Sequence, residues 1–291
     1  MRVTVDPPKI ATTAAPSCPT LCAGSGASGA GLASDNGYGW VVTDNEVELH
    51  GGNASGRVIR VGDTVRKPWL HTTETVQRYL EHLAHKAIDV PRITARDDRG
   101  RQVIEYIDGA LAMDRLPLAS RDLDRVGRMI RTLHDSSEGF DFSSMDEGES
   151  LIPVHDSDLM CHNDLAPWNL VTGERWVFID WDGAGPSTRL WDLAYAAQSF
   201  AMLFKDQPVG AAKDRLRVLI DGYGASDELR LALPDAIVAR TTAMYDLLLE
   251  SHETGRQPWS RMFVDGHGDF WKSAAEYVQT NRSEWVDALA R

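Results

Sequence analysis

Two polar clusters, each joined to a short apolar run, place the strongest constraint on what this chain can fold into. The first is CHNDLAPWNL at 161–170, and the second is VFIDWDGAG at 177–185. In the second stretch, the apolar residues VFI at 177–179 predict a buried strand with acidic residues at its end. Both clusters therefore lie at the edges of apolar runs. Their candidate functional side chains are His162, Asp164, Asn169, Asp180 and Asp182.

Composition limits the class of protein. The chain has 291 residues, of which 43% are hydrophobic, as is ordinary for a soluble globular protein with a sizeable core. It has no uninterrupted apolar run of about 18 residues, so no transmembrane helix is predicted. The cysteines, Cys18, Cys22 and Cys161, have the spacing of neither a zinc site nor a disulfide framework, and we expect a reducing, cytoplasmic setting.

The first 45 residues differ in composition from the rest. They are rich in Ala, Gly, Ser, Pro and Thr, with CAGSGASGAGLAS at their centre. Such a composition is typical of a flexible tail. We therefore predict a low-complexity leader over 1–45, outside the folded part.

The net charge of −13 is unevenly distributed. Residues 46–108 carry ten basic and ten acidic groups, whereas residues 109–291 carry eighteen basic and thirty acidic groups. This excess argues against nucleic-acid binding and favours a cationic ligand. A generally acidic, solvated surface explains the same charge equally well.

Local patterns change near residue 108. Before it, alternating patterns predict short strands in VELHGG, GRVIRVGDTVRK and RQVIEYIDG. One helix is predicted between them, in TETVQRYLEHLAHKA. After it, helical spacing dominates: Ser120 is a plausible N-cap, Pro234 can start a helix, and a last amphipathic helix spans 269–289. The predicted order is a small β-rich lobe over 46–108 and a larger helical lobe over 109–291.

Phosphoryl transfer from a nucleotide suits the residue types of the two clusters. In this chemistry the protein mainly positions the reactants and neutralises charge. An Asp near the acceptor hydroxyl can take its proton, while an Asn and a second Asp, as hard oxygen ligands, hold Mg²⁺. Asp164, Asn169 and Asp180 provide that set.

The sequence resembles the aminoglycoside phosphotransferase and choline kinase-like family over roughly 46–291. The matching stretches are HNDLAPWN, FIDWDGAGP and WDLAYAA. The resemblance implies an α+β, bilobal protein-kinase-like fold, with a small β-rich N-lobe that binds nucleotide and a larger, mainly helical C-lobe. It also implies an ATP- and Mg²⁺-dependent phosphotransferase with an alcohol group as acceptor.

The resemblance assigns roles within the C-lobe. It implies that Asp164 is the catalytic base, that His162 braces the catalytic loop, and that Asn169 and Asp180 are magnesium ligands. Asp182 is expected to support the metal ligands, and Asp192 is expected to anchor the helix behind the catalytic loop. The roles of Asp182 and Asp192 are assigned by position.

In the N-lobe, HGGNASGRVIRV resembles the glycine-rich turn that covers nucleotide phosphates. Gly51, Gly52 and Gly56 would allow close backbone approach to the phosphates, although a plain hairpin turn explains them nearly as well. On the next strand Arg66 and Lys67 point to opposite faces, so only one can face the phosphates. By family position we choose Lys67.

Two further N-lobe assignments follow from the resemblance. Related kinases pair the lysine with a Glu of the next helix, and here Glu74 and Glu81 are both candidates, so the partner stays unassigned. Glu105 and Tyr106 occupy the place of the lobe connector that contacts adenine. A buried edge strand is an equally simple explanation for this pair.

The acceptor is expected to be a small hydroxyl compound, with no nucleic-acid or membrane partner. The acidic C-terminal part suits an aminoglycoside-like cation and hence antibiotic resistance. Asp265 or Asp269 could meet ammonium groups, and Trp259 or Trp271 could add cation–π contacts. A housekeeping kinase for choline, homoserine, a sugar or a fructosamine is the alternative.

Two other classes stay open at this point. A metal-dependent hydrolase could use His162, Asp164, Asp180 and Asp182 as ligands. A pseudokinase-like binding module would keep the fold without catalysis, and the loose glycine turn is compatible with it.

Overall fold

The computed structural model describes residues 46–49, 57–146 and 150–290 of the chain. The predictions made for the leader at 1–45 and for Gly51, Gly52 and Gly56 lie outside these residues. The described part begins with a five-stranded antiparallel sheet in the order β1-β2-β3-β5-β4. Its strands are β1 Val47–Leu49, β2 Val58–Val61, β3 Thr64–Lys67, β4 Ile93–Arg96 and β5 Gln102–Glu105.

Strand β3 is central in this sheet and fixes the direction of its basic side chains. Lys67 pairs in register with Gln102 of β5, and both side chains are buried. Arg66, one position earlier, points to the other face and pairs with Asp97 at 3.6 Å. The alternation of strand side chains thus places Lys67, and not Arg66, on the inner face, and the role of Lys67 toward the phosphates stays a prediction.

A single helix, α1 Thr73–His85, lies between β3 and β4 and joins the sheet to the rest of the protein. Its apolar face packs into the main core through Val76, Tyr79, Leu80 and Leu83. The Tyr79 hydroxyl also donates to the carbonyl of Met160 at 2.9 Å, which ties the helix to a strand of the C-terminal part.

Short strands frame the two polar clusters. Strands β6, β8 and β9 form one three-stranded sheet in the order β6-β8-β9, and β7 pairs with β10. Both polar clusters follow strand ends, because the first begins as β7 ends and the second begins as β9 ends. The bounds are β6 Ala110–Leu111, β7 Leu159–Cys161, β8 Leu170–Thr172, β9 Trp176–Phe178 and β10 Gly185–Ser187.

The remainder is helical. Helices α2 and α4 pack closely, because Gly127 and Gly222 let the two backbones meet where a Cβ atom would overlap the opposite helix. Helices α3, α5 and α7 pack in series behind the catalytic loop. The bounds are α2 Ser120–Ser137, α3 Arg189–Phe200, α4 Val209–Tyr223, α5 Asp227–Thr254, α6 Trp259–Met262, α7 Gly268–Thr280 and α8 Arg282–Leu289.

Three helix predictions are wrong at their ends. Ser120 is the first residue of α2 and not its N-cap, which is Ala119. Pro234 lies inside α5, because the Ser226 side chain accepts from Leu229 N and starts the helix earlier. The last predicted helix is two helices, which break at Asn281.

The fold class is confirmed: a β-sheet N-terminal region precedes a helical C-terminal region of mixed α+β architecture. The boundary at residue 108 stays a prediction. Among the described residues, no helix combines the length and apolarity needed to cross a membrane.

Candidate active site

The catalytic-loop candidate is the segment between β7 and β8. It leaves β7 at Cys161, passes through Asn163 with a left-handed φ of 64°, and turns at Pro167–Asn169 before β8. Asn is among the residues that most readily adopt this backbone. The Asn163 amide donates to the carbonyls of Gly183 and Gly185 at 3.3 Å each. The loop is thereby fixed to the segment that follows β9.

Asp164 is half-buried within this loop and is held by its neighbours. Asn169 Nδ2 donates to Asp164 Oδ2 at 2.7 Å and to the Asp164 carbonyl at 3.0 Å. Burial, with the negative charge of Asp180, raises the pKa of Asp164 to about 7. Hydrogen bonds from Tyr195 and Asn169 and the charge of Arg240 oppose that rise. Such a pKa suits a base that works near neutral pH.

Asp180 and Asp182 follow β9 and face the N-terminal sheet. Asp180 has a left-handed backbone with φ 63° and ψ 62°, which turns the chain sharply at the strand end. Lys67 Nζ lies 2.5 Å from Asp180 Oδ1 and 2.6 Å from Asp182 Oδ2. Burial alone would lower the pKa of Lys67, but the two carboxylates outweigh it and hold that pKa above its ordinary value.

The lysine partner is therefore supplied by the C-terminal part of the chain. Glu74 and Glu81, the two candidates on α1, are both exposed. Gln102 Nε2 donates to Asp182 Oδ1 at 3.4 Å, so a buried amide of β5 supports that carboxylate. Among the described residues, Asp180 and Asp182 are the carboxylates within ion-pair distance of Lys67.

His162 is fully buried and uses both ring nitrogens within the loop. Its Nε2 donates to the carbonyl of Ile179 at 3.0 Å, and its Nδ1 accepts from Asp164 N at 3.3 Å. Burial lowers the pKa of His162. The ring thus ties the end of β9 to the backbone of Asp164. The bracing role of His162 stays a prediction.

A buried polar chain supports the loop from behind. Asp192 Oδ1 accepts from Asn163 N at 2.8 Å, and Asp192 Oδ2 lies 3.0 Å from His134 Nε2. His134 Nδ1 in turn contacts the Tyr223 hydroxyl at 2.9 Å. Asp192 therefore connects α3 to the catalytic loop and, through His134 and Tyr223, to α2 and α4.

The residues fit a magnesium ion by the chemistry of their donors. Asn169 uses its amide nitrogen on Asp164, which leaves the amide oxygen as its ligand atom. Asp180 supplies a carboxylate that already draws a buried cation to 2.5 Å. Hard oxygen donors of this kind are those that Mg²⁺ prefers. The assignment of Asn169 and Asp180 as metal ligands stays a prediction.

The set proposed for a hydrolytic metal centre is not formed. Both nitrogens of His162 are engaged in the loop, so His162 is not free to bind a metal. In the described part of the chain, His134, Cys161 and Asp192 form the group close enough to share an ion, within 4.8 Å. That group is fully buried, and its His and Asp atoms are hydrogen-bonded to protein. We therefore set the hydrolase hypothesis aside.

The connector residues are engaged with the sheet. The N–H groups of Glu105 and Tyr106 donate to the carbonyls of Arg92 at 2.8 Å and Asp63 at 2.9 Å. The Glu105 carboxylate pairs with Arg175 at 2.6 Å. The placement of adenine at Glu105 and Tyr106 stays a prediction. The N–H groups of these two residues are already hydrogen-bonded within the sheet, so neither is free to bind adenine.

The structure corrects one of the acceptor contacts. Trp271 is 4% exposed and stacks on Tyr195 with ring centroids 6.0 Å apart, so its face is not available to a ligand cation. Asp265 is exposed but paired with Arg261 at 2.9 Å. Asp269 is exposed and Trp259 is half-buried. Trp259 is thus the tryptophan of this pair that a ligand could reach.

Sequence reasoning missed two residues of the site, Tyr195 and Arg240. Tyr195 lies in WDLAYAA, and its hydroxyl lowers the pKa of Asp164. Arg240 lies on α5, and its Nη2 donates to the carbonyl of Asn163 at 3.2 Å. Tyr195 could have been found from its position in the quoted motif. Arg240 carries no local signal, because only packing brings α5 to the loop.

Comparisons with known proteins give a family match and a curated relative. Residues 145–229 match the model of the phosphotransferase enzyme family, and that segment contains both polar clusters and Asp192. The trifolitoxin immunity protein of Rhizobium leguminosarum bv. trifolii is 29% identical over 271 residues, covering 85% of this chain and 100% of the relative.

Solved structures show the same fold at low sequence identity. A choline/ethanolamine kinase family protein from Mesorhizobium loti has a TM-score of 0.59 at 20% identity, covering 86% of this chain and 94% of that one. An amicoumacin kinase in complex with AMP-PNP has a TM-score of 0.59 at 13% identity, covering 80% and 89%. A spectinomycin phosphotransferase in complex with ADP has a TM-score of 0.54 at 14% identity, covering 82% and 93%.

The resemblance inferred from the sequence is thereby confirmed, and a purely non-catalytic module is not supported. The matched segment, the kinase-like fold and the geometry around Asp164 agree with one another. Residues 145–229 match the phosphotransferase enzyme family, the chain has the protein-kinase-like fold of the similar structures, and these findings support a phosphotransferase that acts on hydroxyl groups.

Proposed function

We propose that the protein is an ATP-dependent O-phosphotransferase that phosphorylates a small, cationic hydroxyl compound. The observation that carries this proposal is the convergence of Asp164, Asn169, Asp180 and Lys67, which come from three separate segments of the chain. Lys67 reaches Asp180 at 2.5 Å from the N-terminal sheet, and Asn169 reaches Asp164 at 2.7 Å within the loop. This arrangement supports the proposal, because transfer of a γ-phosphoryl group needs a base, metal ligands and a cation close together.

Asp164 acts as the base in the proposed reaction. The acceptor oxygen forms a bond to the γ-phosphorus, the bond from that phosphorus to the β,γ-bridging oxygen breaks, and the hydroxyl proton moves to Asp164. A pKa of about 7 lets the carboxylate be ionised before attack and still accept a proton during it. The hydrogen bonds from Asn169 and Tyr195 fix its orientation.

Lys67, Asn169 and Asp180 hold the nucleotide side. Lys67 contacts the phosphates of ATP, which compete with the carboxylates for its ammonium group. Asn169 and Asp180 would hold Mg²⁺, which neutralises charge on the phosphates when it is bound. Asp182 keeps Lys67 in place through the 2.6 Å ion pair as the nucleotide binds.

The acceptor is assigned by charge and by the names of similar proteins. Residues 109–291 carry thirty acidic and eighteen basic groups, which favours a cation over an anion. The rhizobial relative is named for immunity to a toxin, and two of the similar structures are named as kinases of amicoumacin and spectinomycin. These names favour a toxic or antibiotic acceptor. Choline or ethanolamine is the second candidate, because another similar structure carries that family name.

ADP release from Mg-ATP across a panel of aminoglycosides, choline, ethanolamine, homoserine and sugars tests the proposal. Asp164→Asn should lower turnover by about 10²–10⁴-fold, the usual contribution of a general base, and spare ATP binding. Asp214→Asn is the matched control, since Asp214 is 76% exposed on α4. Wild-type turnover in Asp164→Asn would contradict the proposed role. A stimulated rate with a neutral sugar and none of the cations would overturn the acceptor class.

A further inference from the structure

Arg240 is a buried cation directly behind the catalytic loop. It projects from α5 and is 5% exposed. Its Nη2 donates to the carbonyl of Asn163 at 3.2 Å, one residue before the proposed base. The guanidinium thus holds the backbone from which Asp164 extends.

The same guanidinium also contacts the side chain that binds Asp164. Its Cζ atom lies 4.4 Å from the centroid of the Tyr195 ring and 5.7 Å from that of Trp191. Tyr195 stacks on Trp271, and its hydroxyl interacts with Asp164 in the sense that lowers the pKa of that carboxyl. Because Arg240 and Trp271 together hold the Tyr195 ring, the hydroxyl has little freedom to leave Asp164.

Burial acts against the charge of Arg240. It lowers the pKa of the guanidinium, and the charges of Tyr195, Asp164 and Asp192 oppose that shift only in part. Among the described residues, its Nη1 is buried and has no hydrogen-bond partner. A buried donor without an acceptor disfavours folding, so full hydrogen bonding does not explain why an arginine is here. Its contacts are instead with the Asn163 carbonyl and the Tyr195 ring, two groups next to the proposed base.

We propose that Arg240 is a positioning residue that holds Asp164 through the Asn163 carbonyl and the Tyr195 ring. This inference rests on the proposed function, in which Asp164 is the catalytic base. Arg240 itself touches neither ATP nor the acceptor, because its guanidinium is enclosed by the loop and by α3. It acts on the reaction by limiting where the carboxylate can lie.

The proposal predicts an effect on turnover and not on nucleotide affinity. A displacement of about 1 Å at a reacting group lowers the rate by about 10²-fold. Arg240→Met, which keeps much of the length and removes the charge and donors, should lower kcat by about 10–100-fold with the KM for Mg-ATP unchanged within about twofold. Arg240→Lys keeps the charge and one donor and should recover part of kcat. Tyr195→Phe removes the hydroxyl alone and should lower kcat in the same sense.

Arg230 offers a matched control on the same helix. It is also 5% exposed, and it donates to Asp221 at 2.6 Å and to the Ala225 carbonyl at 3.2 Å, away from the catalytic loop. Arg230→Met therefore removes an equally buried arginine from α5. It should lower the midpoint of thermal unfolding and leave kcat unchanged for the folded protein.

The assay measures ADP release from Mg-ATP with water as the acceptor probe, together with ATP binding and thermal unfolding for each variant. The proposal is supported if kcat falls in Arg240→Met and Tyr195→Phe, recovers in part in Arg240→Lys, and is unchanged in Arg230→Met. Wild-type kcat in Arg240→Met, or an equal loss in Arg230→Met, overturns it. If Arg240→Met does not fold, Tyr195→Phe and Arg240→Lys decide by the same criterion.

The proposed function fails in a different way. If Asp164→Asn releases ADP at the wild-type rate, Asp164 is not the base, whatever Arg240 does. If Asp164→Asn is inactive and Arg240→Met and Tyr195→Phe are both fully active, only the positioning role is wrong. In the double variant Arg240→Met/Tyr195→Phe, the loss should be smaller than the product of the single losses, because both act through Asp164.

Discussion

Asp192 provides the sharpest test of how the catalytic loop is supported. Its carboxylate is 1% exposed and receives Asn163 N at 2.8 Å and His134 Nε2 at 3.0 Å. Asp192→Ala leaves both donors buried without an acceptor. At about 1–3 kcal/mol for each unsatisfied donor, the free energy of unfolding should fall by about 2–6 kcal/mol.

Asp192→Asn keeps the shape of the side chain and should lower the free energy of unfolding by less than Asp192→Ala does. Its amide oxygen can accept from Asn163 N, and its amide nitrogen then faces His134. The imidazole can accept at Nε2 if its proton moves to Nδ1, which can donate to the Tyr223 oxygen at 2.9 Å. We therefore expect a loss of about 1–3 kcal/mol, the difference between charged and neutral hydrogen bonds.

Urea unfolding of the wild type and both variants measures these free energies, and ADP release with Mg-ATP measures the effect on the loop. The matched control is Asp214→Ala, an exposed aspartate of α4. The reasoning is refuted if Asp192→Ala unfolds within about 0.5 kcal/mol of the wild type, the range of a surface change. It is also refuted if Asp192→Asn lowers the free energy of unfolding by at least as much as Asp192→Ala. In that case the change of tautomer at His134 would not restore its hydrogen bond.

Two further predictions concern the lysine and the buried histidine. Lys67→Met should raise the KM for Mg-ATP by about 10–100-fold, since a hydrogen bond to a charged group contributes about 1.5–3 kcal/mol. Arg66→Met, on the outer face, should change that KM by less than about twofold. Equal effects of the two substitutions in steady-state kinetics would contradict the assignment of Lys67. Burial lowers the pKa of His162 below its ordinary 6.5, so the unfolded chain binds this proton more tightly than the folded protein. The stability that His162 contributes is therefore complete above pH 6.5 and is lost as the pH falls below it, and urea unfolding between pH 8 and pH 5 should show a shallower loss in His162→Gln than in the wild type.

Some of the site could be predicted from the sequence because its chemistry is local. The two polar clusters are continuous stretches, so their order, spacing and position at strand ends are visible without the fold. The alternation of side chains on β3 similarly means that only one of Arg66 and Lys67 can face inward, and the family resemblance selects Lys67. Helix ends were less predictable, as Pro234 shows, because the Ser226 cap starts α5 before the proline is reached.

The sequence by itself determined the fold class, the family resemblance and the candidate base and metal ligands, because short motifs specify them. Only the tertiary structure decided what holds those residues. Lys67 meets Asp180 across 113 positions of sequence, and Arg240 meets Asn163 across 77. Neither helix periodicity nor strand alternation carries information over such separations. Which buried carboxylate receives a cation depends on how the sheet and the helices pack, since burial makes an unpaired charge too costly to keep.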